Sequence, residues 1–258
     1  MEIKLTGRKA LITGGSKGLG FAIAQTFADA GADVAILARR QGPLDEAAAA
    51  IRARGGRNVV AIACDVRRAD DIEAAFARVV GAFGYVDILV NNAGTSSAHP
   101  FESVTDAQWQ EDIDLKLFAA IRLARLVWPQ MRERKWGRII NVHNTGATAP
   151  RPASAPTSVT RATGMALTKV LAGEGAPHGI LVNAMLVGFI ESDQWVQRAA
   201  KTGVPLADFL ADMGKEIPLG RVGTAQEFAN MACFLASDAA SYITGTAINV
   251  DGNRCPVV

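Results

Sequence analysis

The feature that most constrains this chain is a repeated change of hydrophobic period. Short apolar runs without polar alternation recur along it: KALIT (9–13), VAIL (34–37), VVAIAC (59–64), DILV (87–90), RIINV (138–142), ILVNAM (180–185) and TAINV (246–250). A strand that is apolar at every position is covered on both faces. Between the runs lie segments with helix character, among them FAIAQTFADA (21–30), LDEAAAAIRAR (44–54), DDIEAAFARVV (70–80), a long stretch from about Asp106 to Arg134, and Pro156 to about Glu174. Strand–helix alternation of this kind predicts a doubly wound parallel sheet in a three-layer α/β/α sandwich. One domain over 1–258 is expected, since the chain is long enough for one sizeable core. Residues 191–218 break the alternation and are expected to form an irregular lid over a binding site.

Composition narrows the class. The formal net charge of +2 gives no electrostatic argument for nucleic acid or a membrane surface. No apolar run approaches the roughly 20 residues of a membrane helix, and the N-terminus lacks a signal-peptide core. Cys64, Cys233 and Cys255 show neither metal-ligand nor CxxC spacing and read as packing residues in a reducing compartment. The expectation is a soluble cytoplasmic protein without a metal site.

The first strand runs into TGGSKGLG (13–20), which opens the first helix. Gly14, Gly18 and Gly20 permit a tight turn and close approach of backbone to a pyrophosphate, and the helix terminus offers free N–H groups. In this strand–loop–helix context the loop predicts a Rossmann-type nucleotide site. An acid about 20 residues further on commonly holds the ribose 2′-OH of NAD(H). Here Ala38 stands there, Arg39 and Arg40 follow, and Lys17 lies within the loop. Cations without an acid favour NADP(H) over NAD(H); the alternative is that both arginines are ordinary solvated charges.

With these motifs in view, the chain resembles the short-chain dehydrogenase/reductase family in its single-domain, 3-oxoacyl-ACP reductase-like form. TGGSKGLG is similar to that family's glycine loop, CDV (64–66) to its adenine site, and NNAG (91–94) to its tetrapeptide after the fourth strand. GRIINV (137–142) resembles the fifth strand, VGFIESD (187–193) the segment around the nicotinamide, and INVDGN (248–253) the last strand and turn. The resemblance implies cofactor contacts at Gly14, Ser16, Lys17, Gly18, Leu19, Gly20, Arg39, Asp65, Val66, Asn91, Ala93, Gly94, Arg161, Gly188, Ile190 and Ser192. In VGFIESD, Val187 takes the usual proline place and Ser192 the threonine place. It also implies hydride transfer between a nicotinamide and a carbonyl or alcohol, with a tyrosine, lysine, serine and asparagine as the catalytic set.

All four of those positions carry other residues. The serine place is Asn144, the tyrosine place Thr157, the lysine place Arg161 and the asparagine place Lys116. The spacings of 13 and four residues survive around the changes, and the two tyrosines, Tyr85 and Tyr242, lie elsewhere. A threonine hydroxyl is a far weaker acid than a phenol and is too short to reach the same substrate oxygen. Arg161 can hold ribose oxygens but does not titrate, and Asn144 can donate to a carbonyl. Lys116 can lose a proton if Arg161 lies close enough to lower its pKa. Structural alternatives stand beside each role: Thr157 as a helix cap, Asn144 as a partner for turn backbone, Arg161 as a structural cation, Lys116 as a solvated charge. Of the histidines, His99 is the candidate substitute acid; His143 should face away from Asn144, and His178 should cap a helix end.

Three functions remain open at this level: an NADP(H)-dependent oxidoreductase with a divergent proton donor, a non-redox, lyase-like enzyme on the same scaffold, and a catalytically silent NADP(H) sensor or subunit. A small-molecule substrate is expected in each enzymatic case. The resemblance implies a homo-oligomer, tetramer or dimer, with Trp109, Phe118, Leu123 and Trp128 as apolar contacts or core. Trp195, Phe209 and Met213 would make the lid apolar.

Overall fold

A computed structural model describes residues 3–55 and 58–257; the ends of the expected 1–258 domain and residues 56–57 lie outside the described residues. In chain order the elements are β1 (Lys9–Thr13), α1 (Gly18–Asp29), β2 (Asp33–Ala38), α2 (Gln41–Gly55), β3 (Val59–Ala63), α3 (Ala69–Phe83), β4 (Ile88–Asn91) and a two-residue β5 (Ala98–His99). There follow α4 (Asp106–Ile113), a π-helical turn (Asp114–Phe118), α5 (Ala119–Arg134), β6 (Gly137–Asn144), β7 (Ala155–Pro156), α6 (Thr157–Gly175) and β8 (Ile180–Val187). The chain closes with α7 (Asp193–Thr202), α8 (Leu206–Gly214), α9 (Ala225–Ala236) and β9 (Ala247–Val250).

Seven strands form one parallel sheet in the order β3-β2-β1-β4-β6-β8-β9. Successive residues of each strand point to opposite faces, and the core divides accordingly. Ile12, Ile36, Val90 and Ile140 pack on one face with Phe27 and Phe228. Leu11, Leu37, Leu89 and Ile139 pack on the other with Leu123, Val127 and Met131. Each large side chain buried in this way contributes roughly 1.5–3 kcal/mol. Both faces are therefore apolar, which is why the strand runs show no alternation. The strand order reverses between β1 and β4, and in open parallel sheets that switch point opens a crevice at the carboxyl ends of the strands.

Local chemistry sets the helix starts. Thr105 and Gln108 close a capping box on α4, and Thr224 and Glu227 close another on α9. Helix α1 has neither a capping side chain nor an acid in its first turn, so its positive end is left for another anion. The long helix expected over 106–134 is interrupted by the π turn that carries Lys116, a device that re-aims a side chain within a continuous helix. The segment 191–218 is not irregular: most of it is α7 and α8. Its polar residues obscured two short amphipathic helices whose apolar sides meet through Trp195 and Phe209, with ring centroids 6.4 Å apart.

Candidate active site

A cleft of about 560 Å³ opens at the carboxyl ends of the strands. One end is built by the β1–α1 loop, with Gly14, Lys17, Gly18, Leu19 and Gly20 in its wall. The close packing of this loop is severe: a Cβ at Gly20 would fall 2.3 Å from the Gly14 carbonyl oxygen. Thr13 anchors the loop to the next strand, its hydroxyl accepting from the N–H groups of Asn92 (3.0 Å) and Ala93 (2.9 Å). Ala93, Gly94, Gly188, Ile190 and Ser192 line the middle of the cleft. Gly188 sits where β8 and the β9 turn nearly touch, since a Cβ there would lie 2.4 Å from Asp251 Cβ.

Ser16, Arg39, Asp65, Val66 and Asn91 do not line the cleft. Arg39 is exposed immediately past the carboxyl end of β2. The Asp65 carboxylate is held by Arg67 through hydrogen bonds of 2.9 and 2.5 Å, which together with Arg39 nearby keep it below the usual carboxylate range. Val66 is a buried core residue. Asn91 pairs with Asn141 across β4 and β6, donating at 2.8 Å, and Asn141 donates in turn to Thr168 at 2.9 Å.

The other end of the cleft gathers Asn144, Ser158 and Arg161. Asn144 ends β6 opposite Val187 of β8, while Ser158 and Arg161 lie in the first turns of α6. Gly146 allows Asn144 and Ser158 to converge, for a Cβ there would meet Ser158 Oγ at 2.7 Å and Asn144 Oδ1 at 3.2 Å. Asn144 does not satisfy turn backbone: its Oδ1 is buried with no partner among the described residues. Arg161 donates to the Val142 carbonyl at 2.9 Å, leaving Nε without a partner, and burial brings its guanidinium down to about 10.

Beneath this surface lies a second, buried group. Lys116 is only 8% exposed and does not reach solvent; it pairs with Asp112 one turn earlier and donates to Thr157 Oγ1 at 3.0 Å. Thr157 is 2% exposed and does not cap α6; its hydroxyl also accepts from the Ser97 N–H at 2.8 Å. Burial, reinforced by Arg161, lowers the Lys116 ammonium to about 8. Lys116 and Arg161 both line a cavity of about 10 Å³, the size of one water site, with Asn91, Asn141 and His143 also in its walls. Arg161 thus borders both the cavity and the cleft.

The histidines are not in the cleft wall. His99 is exposed on β5, where only its neighbour Ala98 reaches the cleft. His143 is buried on β6, and desolvation followed by Arg161 pushes it down to about 3. His178 lies in a short 3₁₀ turn after α6. Among the described residues no cluster of metal-ligating side chains occurs, and no helix is long and apolar enough to cross a membrane.

A family profile described as Enoyl-(Acyl carrier protein) reductase matches residues 14–252. The 3-oxoacyl-[acyl-carrier-protein] reductase FabG of Aquifex aeolicus is 34% identical over 252 residues, 98% of this chain and 99% of that protein. The chain belongs to the short-chain dehydrogenase/reductase family. Among solved members of that family, L-sorbose reductase from Gluconobacter frateurii, complexed with NADPH and L-sorbose, is 35% identical with a TM-score of 0.96 over 100% of both chains. A short chain oxidoreductase from Pseudomonas aeruginosa PAO1, NADPH-bound and containing an atypical catalytic center, is 36% identical with a TM-score of 0.93 over 99% of both chains.

Other residues at or beneath this cleft carry little signal in the sequence. Asp112 was visible one helical turn before Lys116, a spacing that pairs opposite charges, yet burial alone gives the pair its weight. Ser158 was overshadowed by its neighbour Thr157. Phe189, Arg254 and Cys255 line the cleft, and nothing local marks a C-terminal segment as part of a site.

Proposed function

We propose that the protein is an NADP(H)-dependent oxidoreductase with a divergent catalytic centre, acting on a carbonyl or alcohol group of a small-molecule substrate. The observation that carries this reading is one continuous cleft joining the uncapped start of α1 to Asn144, Ser158 and Arg161. The chain fits a dinucleotide: the glycine loop is a cradle that a Cβ at Gly20 would fill, and the α1 N–H groups await an anion. Gly14, Ser16, Lys17, Gly18, Leu19 and Gly20 would hold the pyrophosphate, Asp65 and Val66 the adenine side, and Arg39 a 2′-phosphate. Ala93 and Gly94 floor the cleft, Asn91 supports them from behind, and Gly188, Ile190 and Ser192 flank the nicotinamide end. The NADPH carried by both solved relatives supports the same cofactor here. When bound, the cofactor supplies hydride chemistry.

In this reading Lys116, Asn144, Thr157 and Arg161 occupy the family's asparagine, serine, tyrosine and lysine places. Asn144 and Arg161 face the cleft and stabilise negative charge on the substrate oxygen. Thr157 is sealed below and positions Lys116. Lys116, poised near 8, would supply the proton for the product alkoxide by way of water in the small cavity it shares with Arg161. Trp195 of α7 lies in the cleft wall, and α7, backed by α8, would cover the substrate. The exposed Val159 and Val170 on α6, Phe118 beside α5, and the groove between these helices support the expected homo-oligomer, while Leu123 belongs to the core. The buried free cysteines accord with the expected cytoplasmic location.

The test is consumption of NADPH, followed by nicotinamide absorbance, across a panel of ketones and aldehydes, for the native protein and Lys116→Met. The expected result is turnover that falls about 100-fold in the variant with unchanged NADPH affinity. NADPH binding without turnover on any carbonyl would support the sensor reading, and turnover with constant absorbance the lyase-like one.

A further inference from the structure

The substrate end of the cleft carries a cation that the chemistry above does not use. Arg254, in the turn after β9, lies in the cleft wall with its guanidinium stacked on Phe189, 3.6 Å from the ring centroid. Phe189 is held in turn by Trp195, edge to face at 5.5 Å. The Arg254 backbone is fixed by Asp251, whose carbonyl accepts from the Arg254 N–H at 3.3 Å and whose carboxylate accepts from the Cys255 N–H at 2.6 Å. One nitrogen meets the exposed Glu216 at 3.3 Å on the solvent side. The Arg254 side chain is otherwise 12% exposed, and its buried Nε finds no partner among the described residues.

Charge balance gives this arrangement a direction. Lys17, Arg151, Arg161 and Arg254 line the cleft, and among the described side chains no aspartate or glutamate does. Lys17 stands at the glycine loop, where nucleotide phosphates would neutralise it. Arg254 is left beside two aromatic rings, with Arg151 also in the cleft wall. A guanidinium held over an aromatic face and short of one acceptor is preorganised for a planar anion.

We propose that the substrate carries a carboxylate, bound by Arg254, with an apolar body against Phe189 and Trp195. This rests on reading the cleft as a nucleotide site continued by a substrate site. Arg254 is then the residue that selects the substrate class, and Glu216 tethers it without occupying the cleft side.

Calorimetric titration tests this with 3-phenylpropionate and its neutral partner 3-phenylpropionamide, against the protein alone and the protein saturated with NADPH. The carboxylate should bind about tenfold or more tightly than the amide. Arg254→Gln should abolish the discrimination, and Arg254→Lys should restore part of it. NADPH affinity, measured in the same preparations by nicotinamide fluorescence, should be unchanged in both variants, which also shows that they are folded. Equal affinity for acid and amide in the native protein overturns the proposal. So does an Arg254→Gln variant that keeps the discrimination, or one that loses NADPH instead. Failure of NADPH to bind the native protein, with discrimination intact, would overturn the cofactor reading and leave the carboxylate site standing.

Discussion

Lys116 Nζ donates to Thr157 Oγ1 at 3.0 Å, joining the π turn between α4 and α5 to the first residue of α6 across 41 positions of sequence. The hydroxyl accepts from the charged form of the lysine and so favours the ammonium. Replacing Thr157 by valine removes that acceptor and leaves the Ser97 N–H without its partner. Thr157→Val should move the Lys116 pKa below about 8 and destabilise the fold by about 1–3 kcal/mol. Lysine-selective NMR titration reads the first effect and urea denaturation the second.

Asp112 and Lys116 form an ion pair with both side chains 3% exposed. Removing one partner strands a buried charge, at a cost of about 3–5 kcal/mol. Asp112→Asn should show that loss at pH 7. The loss should shrink above pH 8, where the lysine sheds its proton. Lys116→Met with Asp112→Leu should recover most of the stability. Denaturation midpoints of the single and double variants at two pH values decide this.

The Lys116 titration also sets a pH dependence of folding. Its folded pKa lies near 8, below the ordinary 10.5, so between those values the unfolded chain binds more protons than the folded one. Stability relative to the Lys116→Met, Asp112→Leu double variant, which strands no charge, should therefore rise with pH through that window. A difference that falls with pH would reverse the assignment of burial as the dominant cause.

Arg39 follows β2 at the rim where no acid stands. Arg39→Asp should weaken NADPH binding about tenfold or more and leave NADH binding equal or improved. Paired fluorescence titrations with the two nucleotides give the ratio. An unchanged ratio would assign Arg39 to the solvated surface.

Gly20→Ala places a methyl group 2.3 Å from the Gly14 carbonyl oxygen. The β1–α1 loop must open, and NADPH affinity should fall at least about tenfold, the effect of losing one well-placed hydrogen bond to a charged group. Isothermal titration against the native protein measures it.

Much of the fold was legible because it follows from local rules. Apolar runs without alternation that are too short for helices read as strands covered on both faces, and TGGSKGLG between such a run and a helical segment reads as a close-packed turn. The parallel sheet with helices on both faces follows from that pattern; Asn144, Thr157 and Arg161 were singled out only through the family resemblance, and the strand order came from the tertiary structure. Residues 191–218 were not legible as helices, because α7 and α8 are short and their aromatic side chains find partners in Phe189 and each other, across loops. Leu123 could not be told from a surface contact until the packing of α5 on the sheet placed it in the core.

The sequence by itself determined the architecture and the glycine-rich turn between the first strand and the first helix. Those are properties of residue type and of neighbours a few positions apart. The tertiary structure alone decided that Lys116 is buried on Asp112 and Thr157, that Asn144 keeps an unpartnered oxygen, and that Arg254 returns from the C-terminal turn to the cleft. Burial and charge proximity arise between residues distant in sequence, and they set what a lysine or an arginine can do.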